Sequence, residues 1–340
     1  MSTLKENIHY AGRSAGLVKN LLSGGYIHCN IQLTHRCNFK CQICDFWKVE
    51  HQMEKELSLR EIEIISGKLS RFGTLAVSLA GGEPTLRDDL ESIIGVIARH
   101  HFPIMITNGW FINEENAGRL WKAGLQEVSV SLDYATKEKH DSMRNKLGAF
   151  DKAVHALDTL NRKRPTKRNR VHMISVLMQD NIDEVEDMIR LAKELGVTYM
   201  VNLYSFQRGK KAERLPGREV SEQLLMLKKK YPNFVSLSSY IKGFDRAINN
   251  GGIDGCKAGK YFMNIDNYGN VARCTETTEI PVGNLLNEEP EDIKAKLLQA
   301  QRENNCAQCW TSCRGWAEQM HGPNYIKSWR EFLITVQDYD

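Results

Sequence analysis

At 340 residues, 41% apolar and 26% charged, the chain has the composition of a soluble globular protein, long enough for one large core or a catalytic unit with a smaller appendage. A net charge of +4 is too small to signal a nucleic-acid partner, and no stretch approaches the length of a membrane-spanning helix. The nine cysteines gather in two short-spaced clusters with no apolar signal region ahead of them, so they read as metal ligands in a reducing, cytoplasmic setting and not as disulfides.

Ahead of residue 27, Leu17, Val18, Leu21 and Leu22 before Ser23-Gly24-Gly25 predict a short amphipathic helix. It is expected to pack on the domain or cover a substrate mouth, a membrane-surface foot being the alternative. From 27 to 205, short apolar runs alternate with longer helix-period stretches, the pattern of βα units around a parallel sheet. The strands expected are Ile27–Leu33, Leu75–Ala80, Ile104–Thr107, Glu127–Leu132, Val171–Leu177 and Tyr199–Leu203, with helices in Leu59–Phe72, Leu86–Arg99, Glu114–Ala123, Ala149–Asn161 and Ile182–Leu195. Six such units predict a partial (β/α)6 barrel of the α/β class, with its site on the loops after the strands. Residues 206–255 read as a linker with a helix at Val220–Lys230 and turn chemistry at Asn249-Asn250-Gly251-Gly252. Residues 256–320 form a small cysteine-rich unit, in which Phe262–Ile265 and Asn270–Arg273 flank the hairpin signal Asp266-Asn267-Tyr268-Gly269. A closing helix and tail are expected from Trp316, the tail proper being 321–340.

The predicted rim is where the chemistry-bearing residues fall. Cys37, Cys41 and Cys44 follow the first strand in a C-x3-C-x2-C run, Gly81-Gly82-Glu83-Pro84 follows the second, Thr107-Asn108-Gly109 the third, and Ser131 and Asp133 close the fourth. Three thiolates in one short loop hold three irons of a four-iron cubane and leave the fourth iron open. A zinc knuckle is the competing reading, with His35 or His51 as further ligand. Two glycines let backbone approach a small ligand closely, and Glu83 offers an acceptor for an ammonium group; the plainer reading is a turn capping a helix.

This order of motifs resembles the radical S-adenosylmethionine (SAM) superfamily, with Ile43 standing where that family usually carries an aromatic residue. The resemblance implies a [4Fe-4S] cluster on Cys37, Cys41 and Cys44 whose open iron is chelated by SAM, reductive cleavage to a 5'-deoxyadenosyl radical, and hydrogen abstraction from a substrate. It also implies that Gly81, Gly82 and Glu83 hold the methionyl amino group and that Ser131 and Asp133 lie near the ribose. Arg144, in the H-D-x-x-R element His140-Asp141-Ser142-Met143-Arg144, is placed near the carboxylate, which a guanidinium can pair bidentately. A strand-end cap and a surface salt bridge are the bland alternatives. Apolar contact to the adenine is expected from Val176, Leu177, Met178 or Leu203.

In the C-terminal unit, Cys256, Gly269, Cys274 and the run Cys306-x2-Cys309-x3-Cys313 resemble the auxiliary-cluster region called SPASM, or its shortened form called twitch. Full SPASM regions have more cysteines and two extra clusters; the cysteines here suffice for one auxiliary [4Fe-4S] cluster, closed by four thiolates, with one to spare. Cys256, Cys274, Cys306 and Cys309 are the first choice, with Cys313 the spare or a substitute for Cys309, and structural zinc is the alternative. Cys29 reads as a buried core residue, Arg162–Arg170 as a solvated basic loop, and Trp47, Trp110, Trp310, Trp316 and Trp329 as packing. The resemblance makes the protein an oxidoreductase-type radical enzyme with an electron donor such as flavodoxin or ferredoxin. With little chain before the first strand for a peptide-recognition domain, a small-molecule substrate is expected ahead of a ribosomal peptide to be crosslinked or oxidised. A noncatalytic iron-sulfur carrier is the reading from another class, and it would want closed clusters.

Overall fold

The computed structural model describes residues 2–48, 55–276 and 280–336. After α1 (Ser2–Leu22) come β1 (His28–Thr34), α2 (Leu59–Leu69), β2 (Ala76–Gly81), α3 (Leu90–Ala98), β3 (Phe102–Thr107), α4 (Glu114–Lys122) and β4 (Glu127–Ser131). Then follow α5 (Lys137–Arg144), α6 (Ala149–Lys163), β5 (Arg170–Leu177), α7 (Val185–Glu194), β6 (Thr198–Leu203), α8 (Phe206–Gly209), α9 (Ser221–Lys230), α10 (Ser238–Ile241) and α11 (Phe244–Asn250). The chain closes with β7 (Phe262–Ile265), β8 (Asn270–Ala272), β9 (Gly283–Asn284), α12 (Pro290–Arg302), α13 (Ser312–His321) and α14 (Tyr325–Val336).

The strands form one sheet in the order β6-β5-β4-β3-β2-β1-β7-β8-β9, parallel from β6 through β7. The expected partial barrel is present, and the hairpin of the cysteine-rich unit continues it: β7 pairs in parallel with β1, with His28 opposite Phe262 and Ile31 opposite Ile265, before β8 turns back antiparallel. Alternate residues face opposite ways along each strand. Cys29, Ile31, Leu33, Val77, Leu79, Val128, Val130, Tyr199 and Val201 are buried in the main core, whereas His28, Asn30, Gln32, Ser78, Ser129 and Ser131 lie on the inward face.

Local signals fix the helix starts. Ser58 and Glu61 form a reciprocal capping box at α2, Asn113 and Asn116 another at α4, and Pro290 opens α12. The N-terminal helix is longer than expected and sits at the other end of the barrel from the cysteine loop. Asn20 donates to the carbonyls of Tyr26 (2.8 Å) and Phe72 (3.0 Å), and Arg13 to those of Ala98 (3.1 Å) and His101 (2.7 Å). These carbonyls precede β1, β2 and β3, so α1 closes the N-terminal end of the barrel and covers no substrate mouth. Two helices, α13 and α14, stand where a single closing helix was expected.

Candidate active site

The cysteine loop lies on the rim after β1 and is held from three sides. Backbone amides point at two of its sulfurs, from Phe39 to Cys37 Sγ (3.5 Å) and from Phe46 to Cys44 Sγ (3.4 Å). Gln42 donates through its backbone to the Met143 carbonyl (2.9 Å), which ties the loop to α5. The third hold is the glycine strap after β2, where Gly82 N–H donates to Thr34 O (2.7 Å) and Glu83 N–H to Arg36 O (2.8 Å). A Cβ on Gly82 would fall 2.0 Å from Arg36 O, and one on Gly81, at φ +121°, would fall 2.4 Å from Thr34 O. The two glycines therefore let the strap approach the base of the cysteine loop itself, a partner the sequence did not reveal.

Glu83 is 1% exposed, and its oxygens already accept hydrogen bonds from Thr85 N (3.1 Å), Thr85 Oγ1 (2.6 Å), Thr107 Oγ1 (2.7 Å) and Asn108 N (2.8 Å). Burial pushes its pKa up while these donors work against that shift. Its carboxylate is thus a clasp joining the ends of β2 and β3, in place of the open acceptor expected. Asn108 extends the clasp by donating to Asn38 Oδ1 in the cysteine loop (2.8 Å).

The H-D-x-x-R element divides its work. The Nδ1 of His140 accepts from the Asp133 amide (3.2 Å), Asp141 caps α6 by accepting from Gly148 N (2.7 Å) and Phe150 N (2.8 Å), and Arg144 reaches back to the end of β4. There its Nη2 lies 2.6 Å from Asp133 Oδ2, and its Nη1 donates to Cys41 Sγ at 3.9 Å. Burial opposes the charge on Arg144, but Asp133 and Cys41 outweigh it and raise the guanidinium's pKa. Asp133 and Arg144, expected to touch separate parts of SAM, are paired with each other, and the pair bonds to a cysteine. Ser131 stays on the inward face at the end of β4, half-buried.

A satellite apolar cluster wraps the loop: Phe39, Cys41, Ile43, Tyr134, Met143, Ala149, Met178 and Tyr204, with Cys37, Cys44, Trp110 and Val176 against it. Of the residues considered for adenine contact, Val176 and Met178 belong to this cluster, while Leu177 and Leu203 face the main core. Ile43, at the position where an aromatic was expected, packs here too. His35 sits edge-on to Phe46 and Tyr268 at 5.3 and 6.4 Å between ring centres, and His51 lies outside the described residues.

The C-terminal cysteines converge from three segments. Cys256, Cys274, Cys306, Cys309 and Cys313 all line one cavity, together with His28 and Asn30 of β1. Arg314, 1% exposed, donates to the carbonyls of Ile253, Asp254 and Cys309 and pairs with Glu318. Asn304 links Cys306 N to Cys256 O through its side chain. Gly252 passes so close to the C-x2-C turn that a Cβ there would fall 1.9 Å from Ala307 O, which explains the glycine pair read as a turn. Between the two cysteine sets sits Arg208, a residue sequence reasoning missed: it pairs with Glu276 (3.2 Å) and lies 4.7 Å from the Phe46 ring centre, and burial opposes its charge while Glu276, Cys44 and Cys313 raise its pKa.

The donor chemistry fits iron-sulfur clusters at both places. Burial pushes the thiols up, Cys37 and Cys309 to about 12, Cys256 and Cys313 to about 11, so the protein holds them protonated until a metal displaces the proton. A cubane sets each thiolate on its own iron, so sulfurs brought from separate segments can serve one cluster.

Comparison with known proteins decides the family, since the radical SAM superfamily model matches residues 31–192, the stretch that carries the cysteine loop, the glycine strap and Arg144. Residues 31–192 are a radical SAM domain. The mycofactocin maturase MftC of Mycolicibacterium smegmatis is 29% identical over 303 residues, 84% of this chain and 76% of that one. Among solved structures, Streptococcus suis SuiB bound to the precursor peptide SuiA superposes with a TM-score of 0.63 at 15% identity, over 82% of this chain and 67% of that one. The anSMEcpe structure with bound AdoMet gives 0.61 at 18% identity, over 91% and 96%. At these identities the two structures speak for the fold alone, and both extend past the radical SAM core into the C-terminal cysteine region. As a radical SAM enzyme the protein binds a [4Fe-4S] cluster and SAM. No described helix is long and apolar enough to cross a membrane.

Proposed function

We propose that this radical SAM enzyme binds its catalytic cluster through Cys37, Cys41 and Cys44 and abstracts a hydrogen atom from a peptide, in a net oxidation or crosslink. The observation that carries the reading is the three-cysteine loop clasped by Gly82 and Glu83 and bonded by Arg144, since three ligands leave one iron for SAM. A [4Fe-4S] cluster bound there would supply the electron that cleaves SAM to a 5'-deoxyadenosyl radical. The chain's own residues shape the chamber: Val176 and Met178 present an apolar face to the adenine, and Ser131 faces the ribose. With the side chain of Glu83 filled, the backbone of Gly81 and Gly82 is left to meet the methionyl ammonium. Arg144 keeps a positive charge beside the cluster and beside the SAM carboxylate. Tyr134, Tyr204 and Trp110 help to exclude water and oxygen.

The C-terminal unit, residues 256–320, takes one auxiliary [4Fe-4S] cluster on four of its five cysteines, Cys256, Cys274, Cys306 and Cys309 being the first choice. Bound there, the cluster would supply an acceptor for the electron of the substrate radical, or a relay for electrons from a flavodoxin or ferredoxin, in the cytoplasm. A peptide is favoured over a metabolite by the length of the match to a maturase, 84% of this chain, and supported by the precursor peptide named in the SuiB structure. A small-molecule substrate is the second reading, favoured by a 37% identical stretch of 126 residues shared with an Fe-coproporphyrin III synthase of Methanosarcina barkeri. The test is anaerobic reconstitution with SAM and dithionite, followed by mass spectrometry of peptides encoded beside the gene. Formation of 5'-deoxyadenosine that Cys41→Ala abolishes, with a peptide losing two mass units per turnover, supports the reading; no 5'-deoxyadenosine, or the same amount from Cys41→Ala, rejects it.

A further inference from the structure

The two walls of the barrel lumen differ in chemistry. On β1, His28, Asn30 and Gln32 fall at every second residue and share the inward face, with Ser78 on β2 and Asn264 on β7 in register with Asn30. Some of this polarity is satisfied internally: His28 Nε2 bonds to Ser78 Oγ (2.9 Å), and Asn30 Nδ2 donates to Asn264 Oδ1 (2.7 Å). The rest is not. Both amide atoms of Gln32, the Nδ2 of Asn264 and the Nδ1 of His28 have no partner among the described residues, although these side chains are 1%, 0% and 6% exposed.

A buried carboxamide without partners destabilises a fold, and a native structure holds few of them. Across the lumen the inward face of β3, β5 and β6 carries the partly buried apolar residues Ile104, Ile106, Ile174, Val176 and Met200, and the polar residues beside Met200 on β6 are already engaged, Thr198 Oγ1 donating to Val171 O (3.2 Å) and Asn202 Oδ1 accepting from Ser312 N (2.7 Å). The inward charge at the far end, Glu127, is paired with Arg170 (2.5 Å) and His172 (3.3 Å).

We propose that the β1–β7 wall recognises an uncharged peptide segment, Gln32 and Asn264 bonding to its backbone amides while the aliphatic wall receives a neighbouring apolar side chain. This rests on the peptide reading above. A carboxamide presents a donor and an acceptor side by side, the complement of a peptide group. A polyol has no aliphatic face to set against Ile104, Ile106 and Met200, and a charged group would lose its hydration against uncharged side chains.

The test uses anaerobically reconstituted holoprotein with SAM and three probes followed by ligand-observed NMR: N-acetyl-leucine N-methylamide, N-acetyl-leucine as its free acid, and methyl glucoside. The blocked amide binds about tenfold more tightly than the other two, and Gln32→Leu raises its Kd about five- to tenfold. In the same variant Tm stays at or above that of the wild type and the iron content is unchanged, because only partnerless atoms have been removed. Blocked-amide binding untouched by Gln32→Leu overturns the wall assignment and leaves the peptide reading standing. So does a Gln32→Leu protein with lowered Tm and lost iron, which marks a structural role. Preference for the glucoside, or no binding of the blocked amide, overturns the assignment and counts against the peptide reading as well.

Discussion

The guanidinium of Arg144 lies 2.6 Å from the carboxylate of Asp133, and neither side chain is more than 11% exposed. This pair joins α5 to the end of β4 and delivers the second arm of Arg144 to Cys41. Removing one partner leaves the other charged and buried, a cost of about 3–5 kcal/mol. Arg144→Met is therefore expected to lose about that much stability in urea unfolding and to lose SAM-dependent activity. The double variant Asp133→Asn, Arg144→Met recovers part of the stability without the activity. Additive losses in the double-mutant cycle contradict the pairing.

The glycine strap makes a separate prediction. Gly82→Ala puts a carbon 2.0 Å from the Arg36 carbonyl, backbone against backbone, so the strap must lift off the cysteine loop. The expected result is loss of about four irons per chain, the catalytic cubane, with the C-terminal iron retained. Iron and sulfide counting checks this, and an unchanged count contradicts the strap's role.

Arg208 lies between the two cysteine sets. A nearby positive charge favours the more negative, reduced state of a cluster, so Arg208→Met is expected to lower the midpoint potentials of both clusters while the total stays at about eight irons per chain. Redox titration followed by EPR reads both. A shift confined to one cluster shows that Arg208 serves that cluster alone.

His101 provides a pH dependence far from the metal sites. Burial lowers its pKa to about 4, its Nδ1 accepts from Leu75 N, and its Nε2 bonds to the Ser66 carbonyl. Because the folded pKa is depressed, its contribution is intact above the unfolded value near 6.5 and is lost as pH falls toward 4. Stability should therefore drop by about 2 kcal/mol between pH 7 and pH 5 on account of this residue. Denaturation of His101→Gln at both pH values should show that drop reduced by the same amount; equal drops contradict it.

Much of the fold was legible because the strands are short apolar runs bounded by turn residues, and the cysteine spacings survive without any tertiary knowledge. Phe262–Ile265 was found as a strand, but its parallel pairing with β1 is a long-range choice that no local pattern encodes. The length of α1 was missed because its apolar face is broken by glycine and polar residues before Leu17. At the site, residue type gave the cysteines and the glycine strap. It could not show that Glu83 bonds inward to Thr107 and Asn108, or that Asp133 and Arg144 form an ion pair with each other, since both depend on neighbours brought in from other elements. Arg208 and Arg314 carried no motif, and the carboxamides of β1 became visible only once alternation placed them in the lumen.

We propose above all that Cys37, Cys41 and Cys44 hold a cluster with one iron open to SAM. Mössbauer spectroscopy of anaerobically prepared, ⁵⁷Fe-labelled protein in which Cys256, Cys306 and Cys309 are replaced by alanine isolates that cluster. The expected result is a [4Fe-4S] spectrum in which one iron of the four changes its isomer shift when SAM is added. A spectrum unmoved by SAM, from a cluster sealed by a fourth side chain, or zinc in place of iron, contradicts it.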